Sequence, residues 1–147
     1  MKIREVMSPN PVSCLPTDSA QRVASVMRER SIGSVPVVMD QASRKLVGLI
    51  TDRDLCCSVV AGGLDPKTTT IEKFMSLNPV TCQESEDIEH CEHLMQEHQI
   101  RRIPVVDAKG GIIGIVAQAD LALKDKSDRV SETVAAISKP GKPSAAA

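Results

Sequence analysis

The chain has 147 residues, 18 basic and 19 acidic side chains, a net charge of −1 and one aromatic residue, Phe74. Near-neutrality offers no basic face for nucleic acid, and the lack of aromatics removes a base-stacking surface. No stretch approaches the roughly 18 apolar residues of a membrane span, and five cysteines without a CxxC, behind a start lacking a signal peptide's apolar run, read as reduced, mostly buried thiols in a cytoplasmic protein.

The elements come twice. A lead-in at residues 3–7 is followed by Ser-Pro-Asn-Pro, whose prolines force extended or turn geometry, and by a brief strand at 12–14. Ala20, Val23, Ala24 and Met27 then repeat at helical spacing, with Thr17 offering the N-cap. Residues 35–38 form a continuous apolar run, the mark of a strand buried on both faces. A polar turn, a strand at 46–50 and a second helix from about Thr51 to Gly62-Gly63 complete the first copy.

Sliding the chain by 68 positions lays Ile3 on Ile71, Met7 on Met75, Asn10 on Asn78, Cys14 on Cys82, Met27 on Met95 and Pro36 on Pro104. Beyond a polar turn two residues shorter, Gly48 meets Gly114 and Asp54 meets Asp120. The second copy therefore predicts a strand at 80–82, a helix carrying Ile88, Cys91 and Met95 with Ser85 as N-cap, strands at 103–106 and 112–116, and a closing helix. Residues 130–137 suit one more short helix, and 139–147 have nothing to bury and read as disordered. The fold class is α/β (α+β): two βαββα repeats, at 1–63 and 71–127, joined by a linker at 64–70 and followed by a tail from 128. About 50 residues is small for an independent domain, so the repeats are expected to pack across a pseudo-twofold axis.

The segment Gly48-Leu-Ile-Thr-Asp-Arg-Asp54 is the best candidate site. A buried strand ends where a helix begins, so free amides and the helix dipole favour an anion. Thr51 has a hydroxyl for a phosphate, and Asp54 has a carboxylate for ribose hydroxyls. Thr-x-x-Asp is equally a capping box, with Thr51 as N-cap and Asp54 returning to its amide. Spacing alone leaves both readings open.

The Met-Ser-x-Asn-Pro-Val opening, the Ile-x-x-x-Pro-Val-Val run and the Gly-h-h-Thr-x-x-Asp segment, each present in both copies apart from Ala117 in place of the second threonine, resemble a CBS domain pair across residues 3–126. The resemblance implies a stand-alone regulatory module, not an enzyme, that holds an adenosine-containing nucleotide such as AMP, ADP or ATP in the inter-domain cleft. By that likeness Asp54 takes the ribose, Thr51 a phosphate, and Val35 and Pro36 border the adenine. It also implies a homodimer read by an effector protein that the sequence does not name.

In the second copy Ala117 has no hydroxyl to offer, although Asp120 remains, so one competent and one weakened site are expected. Arg101 and Arg102, standing where the first copy has Gly33 and Ser34, bring guanidinium groups suited to phosphate. The motifs Gly62-Gly-Leu-Asp-Pro66 and Glu97-His-Gln-Ile-Arg-Arg102 further resemble small hypoxic-response proteins made of one CBS pair. That likeness keeps an alternative open: a stress-response or structural protein without nucleotide that binds metal. His90, Cys91, His93 and His98 are ligand types, but Cys91 falls on the apolar helix face with His90 and His93 outward, so no closed metal site is expected there. Adjacent Cys56 and Cys57 read as core thiols. No arrangement of nucleophile and base supports catalysis, and no cofactor is expected.

Overall fold

The computed structural model describes residues 1–125 and 127–140; the remainder of the tail expected to be disordered, 141–147, lies outside them. The chain is a mixed α/β protein that divides into two compact units, and the division does not follow the repeat. One unit takes Met1–Pro11 together with the described residues from Val80 onward; the other is Val12–Pro79. Each lead-in has thus left its own copy and joined the sheet of the other.

In the unit Val12–Pro79, helix α2 (Ala20–Arg30) buries Ala20, Val23 and Met27, and ends at Ser31 in the left-handed region. It covers a three-stranded sheet of β2 (Ser34–Val38), β3 (Leu46–Thr51) and β4 (Ser76–Leu77), all antiparallel. Strand β4 belongs to the second lead-in, whose Ile71, Phe74 and Met75 pack into this core. The predicted strand at 12–14 shrinks to a single bridge from Cys14 to Val37. After β3 the chain makes one α turn, α3 (Asp52–Asp54), and continues as a π-helix over Leu55–Val60.

The other unit repeats the plan with the first lead-in, α1 (Ile3–Val6) and β1 (Ser8–Pro9). Its four-stranded sheet runs β1, β7 (Ile112–Ala117), β6 (Arg102–Val106), β5 (Cys82–Gln83), with β5 parallel to β6. Helix α4 (Ile88–His98) packs on the sheet, α5 (Gln118–Lys124) follows β7, and α6 (Arg129–Ile137) lies along α4. Ile3 and Val6 are fully buried in this core.

The glycines shared by the repeats mark where the lead-ins cross. A Cβ on Gly48 would press on the Ser76 carbonyl and the Met75 sulfur, and one on Gly114 on Met7 and the Ser8 carbonyl. The incoming β4 and β1 fit only because no side chain stands there.

Two local expectations are corrected. The caps fall two residues later than Thr17 and Ser85: Ser19 accepts from the Arg22 amide, and Asp87 is the N-cap of α4. Thr17 and Ser85 instead sit in turns that Asp18 and Glu86 close by accepting from the Leu15 and Gln83 amides at 2.8 and 2.6 Å. Cys56 and Cys57 are exposed, not core thiols, because the inward positions of their helix, four residues apart, are Leu55 and Val59; Cys14, Cys82 and Cys91 are buried. Among the described residues, no helix is long and apolar enough to cross a membrane.

Candidate ligand-binding site

Strand β3 delivers Thr51 to the start of α3, and the Thr-x-x-Asp spacing closes on itself. The Thr51 amide donates to Asp54 Oδ2 at 2.9 Å, and the Asp54 amide donates to Thr51 Oγ1 at 3.1 Å. The capping box is therefore real, and it fixes the carboxylate one turn below the strand end. The amide bond takes Asp54 Oδ2, and among the described residues no residue other than Thr51 hydrogen-bonds the Asp54 carboxylate. Thr51 is fully buried and Asp54 nearly so. Burial pushes the Asp54 carboxyl above the usual range, against the two Thr51 hydrogen bonds that pull it down.

Sheet register sorts the predicted residues by face. Ser34 lies opposite Thr51 and Pro36 opposite Leu49, whereas Val35 lies opposite Ile50. Alternation puts Pro36, Leu49 and Thr51 on one face and Val35, Val37 and Ile50 on the other, against α2. Pro36, Thr51 and, through the capping box, Asp54 come together, while Val35 points away from them. A cavity of about 220 Å³ opens on the α2 side, lined by Val12, Cys14, Asp18, Arg22, Val26 and Val35. Neither Thr51 nor Asp54 borders it.

The other unit holds the counterparts. The Ala117 amide donates to Asp120 Oδ2 at 2.8 Å, so the carboxylate half of the cap survives without the hydroxyl half. Arg102 lies directly opposite Ala117 on β6, on the same face as Pro104 and Ile115. Arg101 is exposed, and its carbonyl accepts from the Gln118 amide at 2.8 Å, as the Gly33 carbonyl does from Asp52 at 3.0 Å.

Two features escaped sequence reading. The first is a serine in each lead-in. Ser8, on β1, donates to Asp120 Oδ1 at 3.4 Å. Its counterpart Ser76, on β4, has a buried hydroxyl oxygen without a hydrogen-bond partner among the described residues. The second is Glu92, buried on α4 because α6 covers it, with Arg129 Nε at 3.1 Å. Burial raises the Glu92 carboxyl, and the Arg129 guanidinium works against that. Of the ligand-type residues on α4, Cys91 is buried, while His90, His93 and His98 are on the outer side.

The CBS domain model matches residues 3–60 and 71–126. Hypoxic response protein 1 of Mycobacterium tuberculosis is 32% identical over 138 residues, 93% of this chain and 94% of its own. The crystal structure of hypoxic response protein I with two coordinated zinc ions superposes with a TM-score of 0.75 at 31% identity, over 84% of this chain and 98% of that one. The CBS domain pair of protein MJ0100 in complex with 5′-methylthioadenosine and S-adenosyl-L-methionine gives 0.75 at 28% identity, over 84% and 94%. CBSX2 in complex with AMP gives 0.71 at 25%, over 86% and 98%. With both repeats matched and a relative of similar length spanned almost end to end, this chain belongs to the CBS domain family, with two CBS domains in tandem.

Proposed function

We propose that this CBS pair is a regulatory module that binds an adenosine-containing nucleotide, of the AMP, ADP or ATP type, at Thr51 and Asp54. The observation that carries the reading is an asymmetry between the copies. In the unit built on β1 and β7, the free oxygen of Asp120 is taken by Ser8. In the unit built on β3 and β4, no serine reaches the Asp54 carboxylate and the Ser76 hydroxyl is buried without a hydrogen-bond partner, among the described residues. Buried polar groups without partners are costly and rare, and a ribose brings two hydroxyls that donate and accept. Asp54 Oδ1 then receives a ribose hydroxyl, the Thr51 proton goes to a phosphate oxygen, and Pro36 and Leu49 border the base on the same face. Likeness to CBS pairs seen with AMP and with S-adenosylmethionine supports the ligand class.

The second copy, with Ala117 for the threonine and Asp120 already engaged, binds weakly or not at all; Arg101 and Arg102 are the groups there that would favour a phosphate. The module acts without catalysis, as a cytoplasmic homodimer whose geometry an effector protein reads. Calorimetric titration with AMP, ADP and ATP tests the reading: one equivalent per chain is expected, and absence of heat with all three overturns it.

A further inference from the structure

We infer that Cys82, Glu86 and His90 form a divalent-metal site, with zinc as the ion their chemistry fits. Their ligand atoms, one thiol, one carboxylate oxygen and one imidazole nitrogen, lie within 4.8 Å of one another, the one such group among the described residues. A tetrahedral ion with bonds of about 2.0–2.3 Å holds its ligands roughly 3.3–3.7 Å apart. Glu86 Oε1 and His90 Nε2 already stand 3.6 Å apart. The site closes when side-chain rotation brings all three to that spacing.

The three residues are held independently of any ion. Parallel pairing of β5 with β6 fixes Cys82 opposite Val105. The Gln83 amide donates to Glu86 Oε2 at 2.6 Å and the Glu86 amide returns to the Gln83 carbonyl at 3.1 Å, so one carboxylate oxygen is anchored and the other faces His90. Such outer contacts are what orient a ligating carboxylate. Cys82 is 2% exposed, whereas the Glu86 and His90 side chains are 37% and 50% exposed. An ion would therefore meet the sulfur on its inner side and keep a fourth position toward water. On binding, the thiol proton leaves to solvent as the sulfur–metal bond forms.

The other repeat carries the same construction with its cation built in. Cys14, Asp18 and Arg22 stand at the matching positions. The Leu15 amide anchors Asp18 Oδ2 at 2.8 Å, and Arg22 Nε faces Asp18 Oδ1 at 3.7 Å. Arginine has no lone pair to offer a metal, and its guanidinium supplies the positive charge the acid faces. Exchanging arginine for histidine turns a closed ion pair into a set of three donors around an empty position. The site stands apart from the nucleotide reading and survives its failure.

The test uses the full chain, reduced and freed of metal, titrated with Co²⁺ and then Zn²⁺. One equivalent of Co²⁺ is expected to give a thiolate-to-cobalt charge-transfer band that zinc removes. His90→Arg, which installs the first copy's residue at a half-exposed position, should weaken binding by at least about tenfold; Glu86→Gln should weaken it too, and His93→Ala should leave it unchanged. Circular dichroism of each variant checks the fold, and His90→Arg keeps the test open if Cys82→Ser fails to fold. A wild-type chain without the band, a band that survives His90→Arg, or equal loss with His93→Ala overturns the assignment.

Discussion

Replacing Asp54 by alanine separates what the side chain does for the fold from what it does for a ligand. The substitution strands the Thr51 amide, which is fully buried and donates to Asp54 Oδ2 at 2.9 Å. It leaves the reciprocal bond, which uses the Asp54 backbone amide. A buried donor without an acceptor costs about 1–3 kcal/mol, and loss of a helix cap about 1 kcal/mol. Because these describe the same event, the free chain should lose about 1–2 kcal/mol, or roughly 3–8 °C in Tm for a protein of this size. The ligand loses a charged acceptor worth about 1.5–3 kcal/mol, which is about 10- to 100-fold in Kd. Melts with and without AMP, ADP or ATP, and calorimetric titrations of wild type, Asp54→Ala and Asp120→Ala, read both effects. Asp120→Ala should leave the Kd unchanged, since Ser8 already occupies its second oxygen. Asp54→Ala that lowers the Tm yet binds nucleotide as tightly as wild type would show that the carboxylate is a cap alone.

Ser76→Ala should leave the free chain equally stable or slightly more so, because it removes a buried hydroxyl with no partner among the described residues, while weakening nucleotide binding; Ser8→Ala should leave binding unchanged. Asp54 also sets a pH dependence. Its folded carboxyl lies above the unfolded value, so the native state holds the proton more tightly and stability falls as pH rises from the ordinary aspartate range through the raised one. Asp54→Asn should flatten that part of the Tm-against-pH curve. Gly48→Ala, by pressing a methyl onto the Ser76 carbonyl and Met75, should cost about 1–3 kcal/mol in a denaturant melt. Val60 and Leu123 are 74% and 78% exposed; light scattering at micromolar concentration should give the mass of a homodimer, and Val60→Lys with Leu123→Lys the mass of a monomer.

The order of elements was legible because the two copies check each other: Pro36 with Pro104 and Gly48 with Gly114 locate the same strands twice. The exchange of lead-ins was not, since Ile3 and Ile71 or Met7 and Met75 are identical and fit either core. The one hint lay in Gly48 and Gly114, glycines inside apolar strands where another backbone draws near. Thr51 and Asp54 were readable as a cap from spacing, but which carboxylate a serine reaches depends on Ser8 and Ser76 carried in by that exchange. Glu92 falls on the stripe of Ile88, Cys91 and Met95, four residues past Ile88; its burial depends on α6, whose Arg129 lies 37 residues on. Cys56 and Cys57 misled because an apolar run has no period, and the π-helix keeps only Leu55 and Val59 inside.

The central claim is that this CBS pair holds one adenosine-containing nucleotide through Asp54. Isothermal titration of the wild-type chain with AMP, ADP and ATP, repeated on Asp54→Asn, tests it most directly, since asparagine keeps an acceptor for the Thr51 amide while removing the charge offered to the ribose. The account predicts one equivalent per chain for at least one of the three nucleotides, and a clear loss of affinity in Asp54→Asn at unchanged fold. No binding by the wild type, or binding that Asp54→Asn leaves intact, would contradict it.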